Sequence, residues 1–176
     1  YHKSTATQYL YPDIDAPVFK VFGDGFWLDS TDFTVGDVNC TLQGQTRNCQ
    51  ITLSNASNEL GAIMSVETDE TDKMRWSLQV QNNAATTRRI QPVFPYMGRI
   101  RIGDSLTDDK YFYPWRGGIL GDIDCDFLFE YGNMAWMQVI SVFDPALDVG
   151  LFTYPEDSNG VFKGMPFKKA YGSGSQ

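Results

Sequence analysis

Lys73-Met74-Arg75-Trp76-Ser77-Leu78-Gln79-Val80-Gln81 puts Met74, Trp76, Leu78 and Val80 at every second position, with a polar residue between each pair. Successive side chains of an extended backbone point to opposite faces, so the four apolar residues share one face and the polar ones the other. A helix would scatter the same residues around its axis. The stretch therefore reads as a β-strand with one face on a core and one in water.

The same alternation recurs in Cys49-Gln50-Ile51-Thr52-Leu53-Ser54, in Leu60 to Val66 and in Arg99-Ile100-Arg101-Ile102, each bounded by Gly, Asn, Asp or Ser. Ala135-Trp136-Met137-Gln138-Val139-Ile140-Ser141-Val142-Phe143 is apolar on both faces, which predicts a central strand covered on both sides and deep in the core. Val149 to Tyr154 leads through Pro155 to Asn159-Gly160, a pair suited to a tight hairpin turn, and on to Val161-Phe162-Lys163. The last third thus reads as an antiparallel meander. No segment sustains a 3.6-residue period over ~11 residues, so helices reduce to short connectors. A (β/α)₈ barrel, which needs ~200 residues or more, is excluded. The expected fold is all-β, an antiparallel β-sandwich with few or no helices. A length of 176 residues fits one domain over residues 1–170, followed by a flexible Gly/Ser tail or linker at 171–176.

A formal charge of −8 and a pI near 4.5 set up a field that repels phosphate backbones and anionic lipid, and no basic run offsets it. Neither nucleic acid nor a membrane is expected as a partner. No apolar run approaches the ~18 residues of a membrane span, and Tyr1 to Gln8 lack the apolar core of a signal peptide, so the chain reads as mature or excised material. The single histidine, His2, stands near a terminus, which argues against a histidine-based triad, dyad or zinc site. A carboxylate-based hydrolase needs two carboxyls about 5 Å or about 6.5–9.5 Å apart, and the sequence singles out no such pair.

Cys40 and Cys49 flank a polar stretch centred on Gly44 that reads as a hairpin tip, placing the thiols opposite one another. A disulfide there implies an oxidising compartment and a secreted, extracellular protein; the alternative is two free thiols in the cytosol. Cys125 alternates with Phe127 and Phe129 and reads as a buried hydrophobe.

Aromatic residues make up 14% of the chain, more than packing alone requires, so some rings are expected at a binding surface. Trp76 and Trp136 lie in apolar strand patterns and belong to the core. Tyr111-Phe112-Tyr113-Pro114-Trp115-Arg116-Gly117-Gly118 crowds four aromatics and a guanidinium onto a segment that Pro114 breaks and the glycines bend. Tyr111, Tyr113, Trp115 and Arg116 form the leading carbohydrate-binding candidate, because sugar C–H faces stack on such rings. A plug at one end of the sandwich, or an interface to a neighbouring domain, accounts equally for the pattern. Trp27 sits on a similar turn, Gly23 to Asp29. Asp122, Asp124 and Asp126 alternate and would line one face of a strand, where they could hold a structural calcium, the one cofactor considered; solvated strand ends are the alternative. Asp104, Asp108 and Asp109, or Asp69 and Asp72, offer the same chemistry at no better spacing.

The succession Trp76 to Asn83, Val93-Phe94-Pro95, Tyr113-Pro114 with Gly117-Gly118, Met134 to Gln138, and Gly150-Leu151-Phe152 with Asp157 and Lys163 resembles the supersandwich domain of glycoside hydrolases, over about residues 50 to 165. The resemblance implies a galactose-mutarotase-like supersandwich, with a jelly-roll-like arrangement as the alternative. It also implies a non-catalytic role, since that family's acid and nucleophile lie in a neighbouring barrel of the same polypeptide. The partners it implies are that catalytic domain and a polysaccharide or oligosaccharide. A structural module of adhesin, surface-layer or capsid-like type, with no glycan binding, is the rival expectation.

Overall fold

The computed structural model describes residues 16–170 apart from 58, 72, 99, 104, 106, 133, 134, 136, 161 and 162. His2, Asp104, Trp136, the Val161-Phe162 pair and the tail at 171–176 lie outside the described residues. Among the described residues the fold is all-β and antiparallel, and its helix content is one 3-10 turn at Ser30–Asp32. The chain packs as two compact units, residues 16–98 and 100–170 of those described, each with its own sheets.

In the first unit Phe19 and Val21 are fully buried and fix the start of the fold. Strand β1 (Lys20–Gly23) pairs with β2 (Phe26–Asp29) and with β7 (Ile90–Val93). A second sheet runs in the order β3 (Phe33–Gln43), β4 (Thr46–Asn55), β5 (Leu60–Thr68), β6 (Met74–Asn82). In β6 the alternation works as expected: Trp76, Leu78 and Val80 are half-buried, and Ser77, Gln79 and Gln81 are exposed. Met74, at the strand's start, is exposed as well. The two sheets close on one core of Phe19, Val21, Phe33, Leu60 and Ala62, against which Leu53, Leu78, Val80, Ile90 and Phe94 pack. Phe19 meets Phe33 edge to face at 5.3 Å, the offset that ring quadrupoles favour. Between the sheets, Asp29 caps the 3-10 turn, accepting from the Thr31 N–H while the Asp32 carboxylate accepts from the Asp29 N–H.

The β3–β4 hairpin runs on beyond this core, and Val35, Val38 and Leu42 are exposed along it. Its tip follows the expected geometry. Gln43 pairs with Thr46 across Gly44-Gln45, and Gly44 takes φ 64° where a two-residue hairpin turn requires the left-handed region. Cys40 and Cys49 are direct register partners and form a disulfide. That bond fits an oxidising environment. No helix among the described residues is long and apolar enough to cross a membrane.

The second unit departs further from the sequence reading. One sheet has the order β12 (Val149–Thr153), β11 (Ile140–Asp144), β8 (Lys110–Tyr113), β9 (Ile119–Gly121); the other pairs β10 (Cys125–Tyr131) with β13 (Lys163–Lys169). The expected meander stops after β11 and β12, because β13 pairs with β10 and not with β12. Asn159-Gly160 does make a turn, with Gly160 at φ 62°, but it redirects the chain to the other sheet. The run from Ala135 to Phe143 is not one deep strand: only Ile140 onward is extended in a sheet, and the described residues from Met137 to Phe143 are half-buried. Arg99–Ile102 forms no strand among its described residues beyond an isolated bridge residue at Ile100, although Ile102 is fully buried. Tyr111 and Tyr113 from β8 pack with Phe127 from β10 and Phe167 from β13, so a cluster of four aromatic rings joins the two sheets.

Candidate functional site

Strand β8 carries two of the leading sequence candidates, Tyr111 and Tyr113, and turns both inward, while Trp115 and Arg116 follow in a turn. Tyr111 is 5% exposed, 5.1 Å from the Phe167 ring and 6.1 Å from Tyr113. Burial, followed by a hydrogen bond with the half-buried Cys125 thiol, raises the Tyr111 hydroxyl's pKa well above its ordinary value; burial raises that of Tyr113 too. Tyr111 is therefore packing, not a stacking platform. Pro114 is fully buried and ends the strand. Trp115 donates its N–H to the Tyr113 carbonyl and accepts from the Gly118 N–H, making a tight turn bridged to Ala135. At its apex Arg116 adopts φ 54°, with its guanidinium carbon 5.3 Å from the Trp115 ring. Trp115 and Arg116 remain together and reachable, whereas Tyr111 and Tyr113 face the cluster.

Trp27 belongs to the other unit. It is 52% exposed on β2, 6.3 Å from Phe22, and the Lys20 ammonium lies 5.3 Å from its ring and 4.1 Å from that of Tyr96. This is a cation–π arrangement on an exposed surface.

Asp122, Asp124 and Asp126 are exposed, the first two before β10 and the third within it, and Asp126 pairs with Lys168 at 3.1 Å. They do not converge. Among the described residues, the carboxylates that do are Asp108, Asp109 and Asp144. Burial, with the two neighbouring carboxylates adding to it, raises the Asp109 pKa, against the opposing pull of the Ile102 N–H and Lys169.

A cleft of about 310 Å³ opens in the second unit, lined by Tyr131, Met137, Gln138, Val139, Tyr154 and Pro155. Tyr154 is 46% exposed and stacks on the exposed Phe152 at 6.0 Å with the planes 12° apart. Gln138 presents a buried side-chain oxygen that has no hydrogen-bond partner among the described residues. Tyr131 has the Lys163 ammonium 6.0 Å above its ring, and Lys163 is paired with Asp157. Two phenol rings and the Gln138 side chain thus line one open surface, although the Gln138 Oε1 itself is buried, a combination that suits a ligand with both an apolar face and hydroxyl groups. None of the six lining residues is among the candidate site residues Tyr111, Tyr113, Trp115, Arg116 and Trp27. The available signal was Gln138, a lone amide in an otherwise apolar run. No family model, no curated protein and no solved structure matches the chain.

Proposed function

We propose that the chain is a non-catalytic carbohydrate-binding or accessory β-sandwich module of a secreted glycoside hydrolase, and that it holds a polysaccharide segment against Tyr131, Tyr154 and Gln138. The observation that carries this reading is the open, shallow depression that sets the exposed Tyr154 ring beside Tyr131. A pyranose ring offers C–H bonds to the phenol faces and hydroxyl groups to the Gln138 side chain that lines the same surface. The resemblance of residues 50 to 165 to a supersandwich domain supplies the accessory role. Stacking contacts of ~0.5–1.5 kcal/mol each, set against the cost of immobilising a flexible glycan, place the dissociation constant in the micromolar to millimolar range.

The test is a titration of intrinsic fluorescence with a panel of soluble plant and host polysaccharides, repeated on Tyr154→Ala and Gln138→Ala. A saturable change with one glycan class, weakened about tenfold or more by either substitution, is expected. Silence across the panel would sink the reading. A structural or interaction module is the second reading, favoured by the exposure of Leu120, Ile123, Leu128 and Leu147 in the second unit, which would suit a protein partner. It predicts concentration-dependent assembly in sedimentation and no glycan response.

A further inference from the structure

Asp108, Asp109 and Asp144 each bring one carboxylate oxygen to within 4.8 Å of the other two. Backbone pairing holds them there. Asp108 and Asp109 immediately precede β8, Asp144 ends β11, and the two strands are paired with Phe143 opposite Lys110. Asp109 is 2% exposed and Asp144 3%, while Asp108 is open to solvent.

Acidic residues often gather without a ligand, so the arrangement of the individual oxygens decides. The Asp109 Oδ2 accepts a hydrogen bond from the Ile102 N–H at 3.2 Å, but its Oδ1 is buried and meets no donor among the described residues. A buried carboxylate oxygen without a partner is strongly unfavourable, the more so beside two further carboxylates. Asp144 is fixed in place, its Oδ1 accepting from the N–H groups of Ala146 at 2.7 Å and Leu147 at 3.1 Å. Its Oδ2 lies where a Cβ on Gly103 would come within 3.2 Å, so the backbone at Gly103 approaches closely. Lys169 brings a positive charge near, its ammonium bonding the backbone carbonyls of Asp109 and Asp122. One such charge does not balance three carboxylates.

We propose that Asp108, Asp109 and Asp144 form a binding site for a hard divalent cation, calcium first, that ties the loop before β8 to the turn after β11. The three side chains offer only oxygen, which suits calcium or magnesium and not the nitrogen and sulfur preferences of zinc or copper. Calcium binds oxygen at ~2.3–2.6 Å, so two ligands on opposite sides of it stand up to about 5 Å apart; magnesium, at ~2.0–2.1 Å, draws them within about 4.2 Å. A spread of up to 4.8 Å lies within the reach of calcium as it stands. The exposed Asp108 marks the side from which the ion enters and from which water completes its shell. This site is independent of the glycan cleft.

The experiment uses the full chain with its disulfide intact, stripped of metal by a chelator and dialysed. It is titrated calorimetrically with calcium chloride and, separately, magnesium chloride, and its thermal unfolding is followed with and without each. Saturable binding of one calcium per chain is expected, with a clear rise in the unfolding midpoint that magnesium reproduces only in part. Asp109→Asn keeps an acceptor for the Ile102 N–H but removes the charge, and should abolish the calcium-dependent rise. Should that variant not fold by circular dichroism, Asp108→Asn, at the exposed member, should still weaken calcium about tenfold. Absence of heat and of any midpoint shift at millimolar calcium overturns the proposal, as does unchanged calcium affinity in the folded variants. A wild-type chain that ignores calcium but gains stability on mild acidification overturns it too, by assigning the buried oxygen a proton.

Discussion

The ring of Tyr113 lies 4.3 Å from that of Phe127, centre to centre, and this contact joins β8 of one sheet to β10 of the other. With Tyr111 and Phe167 it makes the layer on which the 100–170 unit is built. Truncating Tyr111, the more buried of the two tyrosines, should cost about 3–5 kcal/mol and Tyr113→Ala about 2–3 kcal/mol, the range of large aromatic deletions scaled to their burial. Urea denaturation followed by tyrosine and tryptophan fluorescence measures both. Losses below about 1 kcal/mol would mean that the rings do not carry the packing.

The same burial predicts an alkaline limit. Both hydroxyls have pKa values raised in the folded chain, chiefly by desolvation, so the folded state holds their protons where the unfolded state releases them. The unfolded state then binds fewer protons above pH ~10, and stability falls as pH rises past that point, whereas below it the contribution is fully present. In an absorbance titration of the nine tyrosines, those at positions 111 and 113 should ionise only together with loss of the circular dichroism of the fold. A single reversible transition of all nine near pH 10 with the fold retained would refute this.

Gly121 faces Tyr111 across the β8–β9 pair, and a Cβ there would come within 2.4 Å of the phenol carbon and oxygen. The ring lies over the glycine because no side chain stands in its way. Gly121→Ala should force the ring or the strand aside and cost about 1–3 kcal/mol, the usual penalty of overpacking. Comparison with Gly117→Ala, where added bulk meets nothing within 4 Å, supplies the control in the same denaturation experiment. Equal, small effects at both positions would remove the close approach as a determinant.

How far the sequence could be read follows from where the information lies. Alternation is local, and so the strands β4, β5 and β6, the wet face of β6 and the hairpin at Gly44 are legible; β5 keeps no exposed face, since Leu60, Gly61 and Ala62 are buried and the rest of the strand is half-buried. Pairing partners are not local. Nothing in Lys163–Lys169 says that it joins Cys125–Tyr131 instead of the adjacent β12, since an antiparallel partner is chosen by the core that both faces must share. The same limit governs the site. Tyr111 and Trp115 look alike as aromatic residues of one segment, but β8 alternation turns the first inward and the Trp115–Gly118 turn leaves the second half-buried. Asp122, Asp124 and Asp126 stand out by spacing, yet converging carboxylates arise where two paired strands bring Asp108, Asp109 and Asp144 together across 36 residues of sequence.

The disulfide allows a prediction in which location matters as much as magnitude. Cys40 and Cys49 are nine residues apart, a loop whose closure is worth roughly 2–3 kcal/mol in the chain-entropy description. They sit on the part of the β3–β4 hairpin that extends beyond the core, where Val38 and Leu42 are exposed and side-chain burial does little to hold the strands. Reduction should therefore loosen the hairpin first. Hydrogen exchange should accelerate from Val38 to Asn48 while Phe33, Leu60 and Ala62 keep their protection, because their stability derives from the core on which both sheets close. Cys40→Ser with Cys49→Ser should reproduce the pattern without reductant. If the double variant instead loses protection uniformly across residues 16–98, the hairpin and the core unfold as one unit, and the disulfide stabilises the whole of it.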